Sequence, residues 1–165
     1  MKNHPPRSIQ FRHLRLAALI LPSFLLGGAY LSQYVGGLYP CEMCWWQRYP
    51  HMAAIPVALM AFLVQNEAMQ RALTALAAMA LLTSGIIGGY HAGVEYNWWE
   101  GITGCTSRVS GSGDDFIKAV LSAPLTRCDI APWTLFGISL AGYNFLLSCG
   151  GGAAILAWLW KSPKH

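Results

Sequence analysis

Four long stretches of the chain are nearly free of charge, and the polar residues collect between them. The apolar runs extend from about Leu14 to Val35, from about Trp45 to Val64, from about Ala72 to Tyr90 and from about Trp133 to Trp160. Each is near the roughly 20 residues needed to cross a hydrocarbon layer about 30 Å thick. The last is long enough to need tilt. The pattern predicts an all-α integral membrane protein, one domain over residues 1–165 folded as a four-transmembrane-helix bundle, with connecting loops at about 36–44 and 92–132 on one side. Composition agrees: 55% of the residues are hydrophobic and 11% charged, against about 25% charged in a soluble domain. The first run has a basic leader and the small residues Gly27, Gly28 and Ala29, as a cleaved signal would. Its apolar core exceeds the about 7 to 15 residues of such signals, so a retained helix is expected.

Charge adds direction. The net charge is +4, but the cations flank apolar runs and form no groove-like patch, which argues against nucleic-acid binding. Lys2, Arg7, Arg12, Arg15, Arg71, Lys161 and Lys164 fall on one side of the expected bundle; Arg48, Arg108, Lys118 and Arg127 fall on the other. The richer side is expected in the cytoplasm, and with it both termini. Trp45, Trp46, Trp98, Trp99 and Trp133 then mark the outer interface, and Trp158 and Trp160 the inner one. The long outer loop contains "SGSGDD", where Asp114 is placed to cap a short amphipathic helix in "DFIKAVLSA". The Gly27–Gly28 pair, Ser84–Gly89 and Gly150–Gly152 offer small surfaces for close helix packing.

The candidate chemistry lies in the cysteines. Cys41, Cys44, Cys105 and Cys128 all fall in the outer loops, whereas Cys149 sits inside the fourth run, where a thiol serves as a small apolar side chain. Outside a bacterial inner membrane, four thiols most naturally mean two bridges, and three pairings are open. Cys41 and Cys44 are near enough in sequence to pair with each other. A structural staple is a weak reading of so tight a loop, because it constrains little chain. A zinc site is disfavoured because Cys105 and Cys128 are not a second Cys-x-x-Cys unit, and no metal is expected. Redox exchange fits best: Cys44 begins a helix and Arg48 stands one turn on, both favouring thiolate. The βαβ context of a soluble thioredoxin-like enzyme is missing.

The stretches "PCEMCWWQR", "GGYHAGVEYNWWEG" and "RCDIAPWTLFGISLAGYN", together with four runs and a second outer cysteine pair, resemble the bacterial disulfide-bond oxidase family DsbB over nearly the whole chain. The resemblance implies an inner-membrane, quinone-dependent protein-disulfide oxidoreductase. It would reoxidise a periplasmic thioredoxin-fold, DsbA-like dithiol oxidase and pass two electrons to ubiquinone or menaquinone. It implies catalytic roles for Cys41, Cys44, Cys105 and Cys128. Cys41 and Cys44 would be the quinone-proximal pair, with Cys44 meeting the quinone. Cys105 and Cys128 would be the mobile-loop pair, with Cys105 forming the mixed disulfide. Arg48 and His91 would help bind the quinone. Two departures stand out: Gln47 replaces an acidic residue common in the family, and Glu42 lies within the Cys-x-x-Cys. The alternative class is a non-catalytic membrane subunit with stapled loops, which would need neither Arg48 nor the tight cysteine pair.

Overall fold

The computed structural model describes residues 7–103 and 126–161, with side chains from residue 11 onward. The expected short helix after Asp114, and Cys105 with it, lie outside the described residues. Among the described residues, four helices carry the fold: α1 (Arg7–Tyr34), α2 (Glu42–Leu63), α3 (Glu67–Glu95) and α4 (Leu140–Lys161). A two-stranded hairpin, β1 (Thr134–Leu135) paired antiparallel with β2 (Ile138–Ser139), precedes α4.

Local chemistry sets these limits. α2 starts where the Cys41 sulfur accepts a hydrogen bond from the Cys44 amide at 3.4 Å. α3 starts at Asn66, whose Oδ1 accepts from the Met69 amide at 2.9 Å, with Glu67 at the positive end of the helix dipole. Only Val64–Asn66 separate the two helices, so they pack as antiparallel neighbours. α3 continues past the expected end at Tyr90 as far as Glu95. Asn97 then turns the chain back through φ 58°, and Trp99 donates to the Tyr90 carbonyl at 2.9 Å. A Cβ on Gly93 would lie 2.0 Å from the Trp99 ring, so this fold-back requires glycine there.

α4 begins at Leu140 and not near Trp133. Phe136 and Gly137, both at positive φ (51° and 77°), form a two-residue turn that fits the twist of a hairpin. Tyr96 holds that hairpin against the end of α3, donating to the Gly137 carbonyl at 3.0 Å and accepting from the Ser139 amide at 2.8 Å. Ser139 Oγ then accepts the Gly142 amide at 3.1 Å and opens α4.

The far end of the bundle is packed by Leu14, Ala18, Ala54, Ala58, Ala77, Ala78, Leu81, Ile155 and Leu159. Arg15 donates to the Ala61 carbonyl at 3.0 Å and Arg71 to that of Leu159 at 2.5 Å, so two cations satisfy the C-terminal carbonyls of α2 and α4. α1, α3 and α4 are long and apolar enough to cross a membrane. Large apolar side chains such as Ile20, Phe24, Leu63, Met79, Ile86 and Leu146 face outward, and a lipid environment removes the cost of that exposure. This is a helical membrane protein.

Glycine lets α3 and α4 approach. A Cβ on Gly85 would sit 2.5 Å from Cys149 Sγ and 2.8 Å from its backbone nitrogen, and one on Gly152 would sit 2.9 Å from the Ala78 carbonyl oxygen. Cys149 therefore packs into the space left by Gly85. The expected packing role of Gly27, Gly28 and Gly150 does not hold: a Cβ at any of them meets nothing within 4 Å. In detergent, Gly85→Val should lower unfolding stability by about 1 to 3 kcal/mol through overpacking. Gly150→Ala should leave it equal or higher by up to about 1 kcal/mol through helix propensity. Unfolding followed by circular dichroism reads both, and equal effects would contradict this packing.

Candidate functional site

The C-terminal ends of α1 and α3 and the N-terminal ends of α2 and α4 meet around the dithiol. The Cys41 and Cys44 sulfurs are 3.2 Å apart, with Cys41 as the helix cap and Cys44 in the first turn of α2. Cys128 comes from the segment before the hairpin: its sulfur, that of Cys41 and His91 Nε2 all lie within 4.8 Å of one another. Thr103 donates to Cys128 Sγ at 3.3 Å. The structure thus joins three of the four sequence-predicted cysteines.

His91 is central. Its Nδ1 lies 2.8 Å from Gln47 Nε2, and its Nε2 lies 3.6 Å from the Cys41 sulfur and 3.7 Å from Glu95 Oε1. The amide orientation of Gln47 is fixed from the other side, because Asn144 Nδ2 donates to its Oε1 at 2.9 Å. Gln47 Nε2 therefore donates to Nδ1, and the imidazole proton resides on Nε2, facing sulfur and carboxyl. The cluster of Cys41, His91 and Cys128 is compact enough for metal ligands, but a proton on Nε2 occupies the nitrogen a metal would need. The arrangement is set up for hydrogen bonding to sulfur.

A polar seam continues from Gln47 into the bundle. Ser84 Oγ donates to the Gln47 carbonyl at 2.8 Å, Ser148 Oγ to Asn144 Oδ1 at 2.8 Å, and His51 Nε2 reaches Asn144 Oδ1 at 3.0 Å. Arg48 is also buried. It donates to Gln33 Oε1 at 2.5 Å and to the Ala29 carbonyl at 3.0 Å, while its guanidinium lies over the Tyr30 and Trp45 rings at 5.0 and 4.9 Å. The arginine fastens the start of α2 to the end of α1.

Of the cavities beside the dithiol, two touch both Cys44 and His91. An outer one of about 280 Å³ is bordered by Cys41, Cys44 and His91 together with Leu38, Arg127 and Ile130. A lateral one of about 360 Å³ has apolar walls including Phe24, Leu25, Trp133 and Leu147, with Cys44, Arg48, Gln47, His91 and Glu95 at its polar side. Gly28 belongs to that wall, and its missing side chain keeps the wall open. Cys44 and His91 border both cavities, so the reactive groups form the partition between them. Outside the spans, the Cys128 hydrogen bond draws the Cys41 thiol downward, but the Cys44 hydrogen bond and burial outweigh it and push Cys41 up to about 12. Its own hydrogen bond to Cys41, and then burial, push Cys128 up as well.

Fold and site together define a membrane-embedded thiol–disulfide protein. The family model described as "Disulfide bond formation protein DsbB" matches residues 11–159, and the chain belongs to that family. It is 32% identical to a disulfide bond formation protein B of Verminephrobacter eiseniae, with 93% of this chain and 88% of the relative covered. The likeness to that of Acinetobacter baumannii is 32% over 90% and 86%. An uncharacterized protein of Rickettsia prowazekii is 27% identical over 84% and 82%. No solved structure matches the chain.

Residues that sequence reasoning passed over are Glu95, Asn144, His51 and Ser84, and Gln47 as a linker. Their signal was present: polar side chains inside apolar runs are expensive and mark sites by default. In the reduced protein, Cys41 and Cys128 should resist iodoacetamide near pH 7, and their alkylation should rise about tenfold per pH unit up to about pH 10 as thiolate forms. Cys44, at the helix N-terminus, should react first. Mass spectrometry of the alkylated peptides checks the order, and equal rates for all three would contradict it.

Proposed function

We propose that the chain is a quinone-dependent disulfide oxidase crossing the bacterial inner membrane four times, with both termini in the cytoplasm and the cysteines at the periplasmic side. One observation carries this reading: the dithiol partitions an outward cavity, bordered by Arg127 and Ile130 of the segment that carries Cys128, from a lateral apolar cavity beside Arg48. A soluble thiol partner and a lipid-soluble acceptor can then approach the same sulfurs from opposite sides. α2 holds too many polar residues to qualify as a span by composition. It has 22 residues, close to the length of α4, and buries Gln47, Arg48 and His51 against its neighbours, which supports a fourth crossing.

The lateral cavity fits a quinone. Its size is within the about 300 to 1,000 Å³ of small-molecule sites, and it has apolar walls with a few convergent polar groups. A bound quinone supplies a two-electron acceptor of high enough potential to drain a DsbA-like oxidant at about −120 mV. The chain's own residues bring the electrons there. The partner's thiolate opens the Cys105–Cys128 bridge at Cys105 and frees the Cys128 thiolate. Cys128 then attacks Cys41, whose sulfur is within 4.8 Å. That exchange opens the Cys41–Cys44 bridge and frees Cys44 at the cavity wall. Once the partner's second thiol has released the oxidised partner from Cys105, the Cys105 thiolate recloses its bridge to Cys128 and leaves Cys41 and Cys44 as the reduced dithiol. Arg48 keeps the cysteine-bearing turn of α2 in register with α1 and borders the acceptor.

Purified protein mixed with a reduced thioredoxin-fold oxidase and a soluble quinone should bleach quinone absorbance, and no bleaching would sink the proposal. In that assay Arg48→Lys should raise the quinone KM about tenfold or more, because lysine lacks the flat fork whose separate nitrogens reach Gln33 and Ala29, and a charge-assisted hydrogen bond is worth about 1.5 to 3 kcal/mol. Arg48→Met should be worse. An unchanged KM and kcat in Arg48→Lys would reduce the arginine to an interfacial anchor.

Orientation is tested separately. In intact cells, a membrane-impermeant thiol reagent should label reduced Cys105 and Cys128 from outside. Labelling only after membrane disruption would reverse the topology.

A further inference from the structure

Glu95 has no part in the electron path above, yet it is one of the most costly side chains in the protein. It ends α3 one turn beyond His91 and is 8% exposed. Its Oε1 faces His91 Nε2 at 3.7 Å, and Ser139, just before α4, lies beside the carboxyl. The other oxygen, Oε2, is buried with no hydrogen-bond partner among the described residues. No described lysine or arginine forms an ion pair with it. Glutamine would fill the same space without risking a buried charge, whose unpaired cost is several kcal/mol or more. A carboxyl kept under those terms, on the wall that also holds Cys44, has a use in moving protons.

We propose that Glu95 is the proton-carrying group of the dithiol reaction, a role that rests on the oxidase reading above. Closing the Cys41–Cys44 bridge breaks two S–H bonds, forms one S–S bond and releases two electrons and two protons. Both electrons go to the quinone. The Cys44 proton passes across the lateral cavity to the Glu95 carboxylate as the Cys44 thiolate forms, and from Glu95 it goes on to the reduced acceptor. The Cys41 proton leaves to water by the outer cavity, and the acceptor's second proton enters from water. His91 makes the exchange tolerable in a dry site. Its Nε2 lies 3.6 Å from the Cys41 sulfur and 3.7 Å from the Glu95 carboxyl, so the N–H it carries stabilises negative charge on either one. Gln47 holds the ring in that tautomer. The other groups able to ionise around this cavity are Cys41 at the cap of α2, Cys44, Arg48 and His51 from α2, Tyr143 from α4 and Cys128 from the segment before the hairpin; Ser139 and Asn144 remain neutral.

The direct test needs no quinone. Infrared difference spectra of the protein with its dithiol reduced and then chemically oxidised should show a protonated-carboxyl band in the reduced state that is lost on oxidation. The band should shift in protein labelled with carbon-13 glutamate and be absent from Glu95→Gln. No band change with dithiol redox state, or a change retained in Glu95→Gln, overturns the proposal; the labelled wild-type spectrum decides the matter even if that variant folds poorly. In turnover, Glu95→Gln should lose about a hundredfold or more in kcat with little change in quinone KM, and Glu95→Asp should recover part of it. Wild-type kcat in Glu95→Gln counts against the proposal. If wild-type protein reduces no quinone at all, the oxidase reading fails, while the infrared result still reports on Glu95.

Discussion

Gln47 is the side chain on which the site depends. It holds His91 of α3 through its amide nitrogen, receives Asn144 of α4 through its amide oxygen, and presents its own carbonyl to Ser84. Two helices, α3 and α4, are thereby keyed to one residue of α2, one turn from Cys44. Apolar contacts between helices in lipid have little preference for one register, since hydrocarbon surrounds every alternative. Interhelical hydrogen bonds, at about 0.6 to 2 kcal/mol each, do discriminate. A slip of α4 by one residue would leave Asn144 with polar atoms facing hydrocarbon.

The glycines of α3 make that keying feasible. A Cβ on Gly88 would come within 3.0 Å of the Ala141 carbonyl oxygen and of Asn144 Nδ2, and 3.1 Å from Gln47 Oε1. Only a backbone without a side chain there lets the two amides meet over it. Small residues and polar residues therefore do joint work: the first close the distance, and the second fix the register. The alanine-rich far end has closeness without such a seam, and there Arg15 and Arg71 secure the helix ends.

Much of this was legible in the chain, for identifiable reasons. Hydrocarbon thickness forces long apolar runs, so helices appear where those runs do. The Cys-x-x-Cys with Arg48 announces itself by spacing alone. The hairpin before α4 was hidden because Trp133, Leu135 and Ile138 are as apolar as a helix in lipid, and the deciding event is the positive φ at Phe136 and Gly137. Glu95 was hidden because hydropathy falls after Tyr90 while the helix does not stop; burial under Trp99 and the hairpin carries it on. The family resemblance directs attention to a missing acid at position 47. In space, Gln47 and Glu95 face the two nitrogens of one imidazole, so the acid is present on the opposite side of the ring. A linear sequence cannot display that exchange of places.

The cap of α2 has a consequence for motion. Most helices are closed by an oxygen that takes no part in chemistry, whereas this one is closed by the Cys41 sulfur, which holds the Cys44 amide. A sulfur that swings toward Cys128 gives up that amide, and the first turn of the helix loses its fastening when Cys44 is set free. On the proposed exchange the boundary between helix and loop is set by the bonding of one sulfur atom, and each electron pair that passed would briefly unlatch the element that positions it.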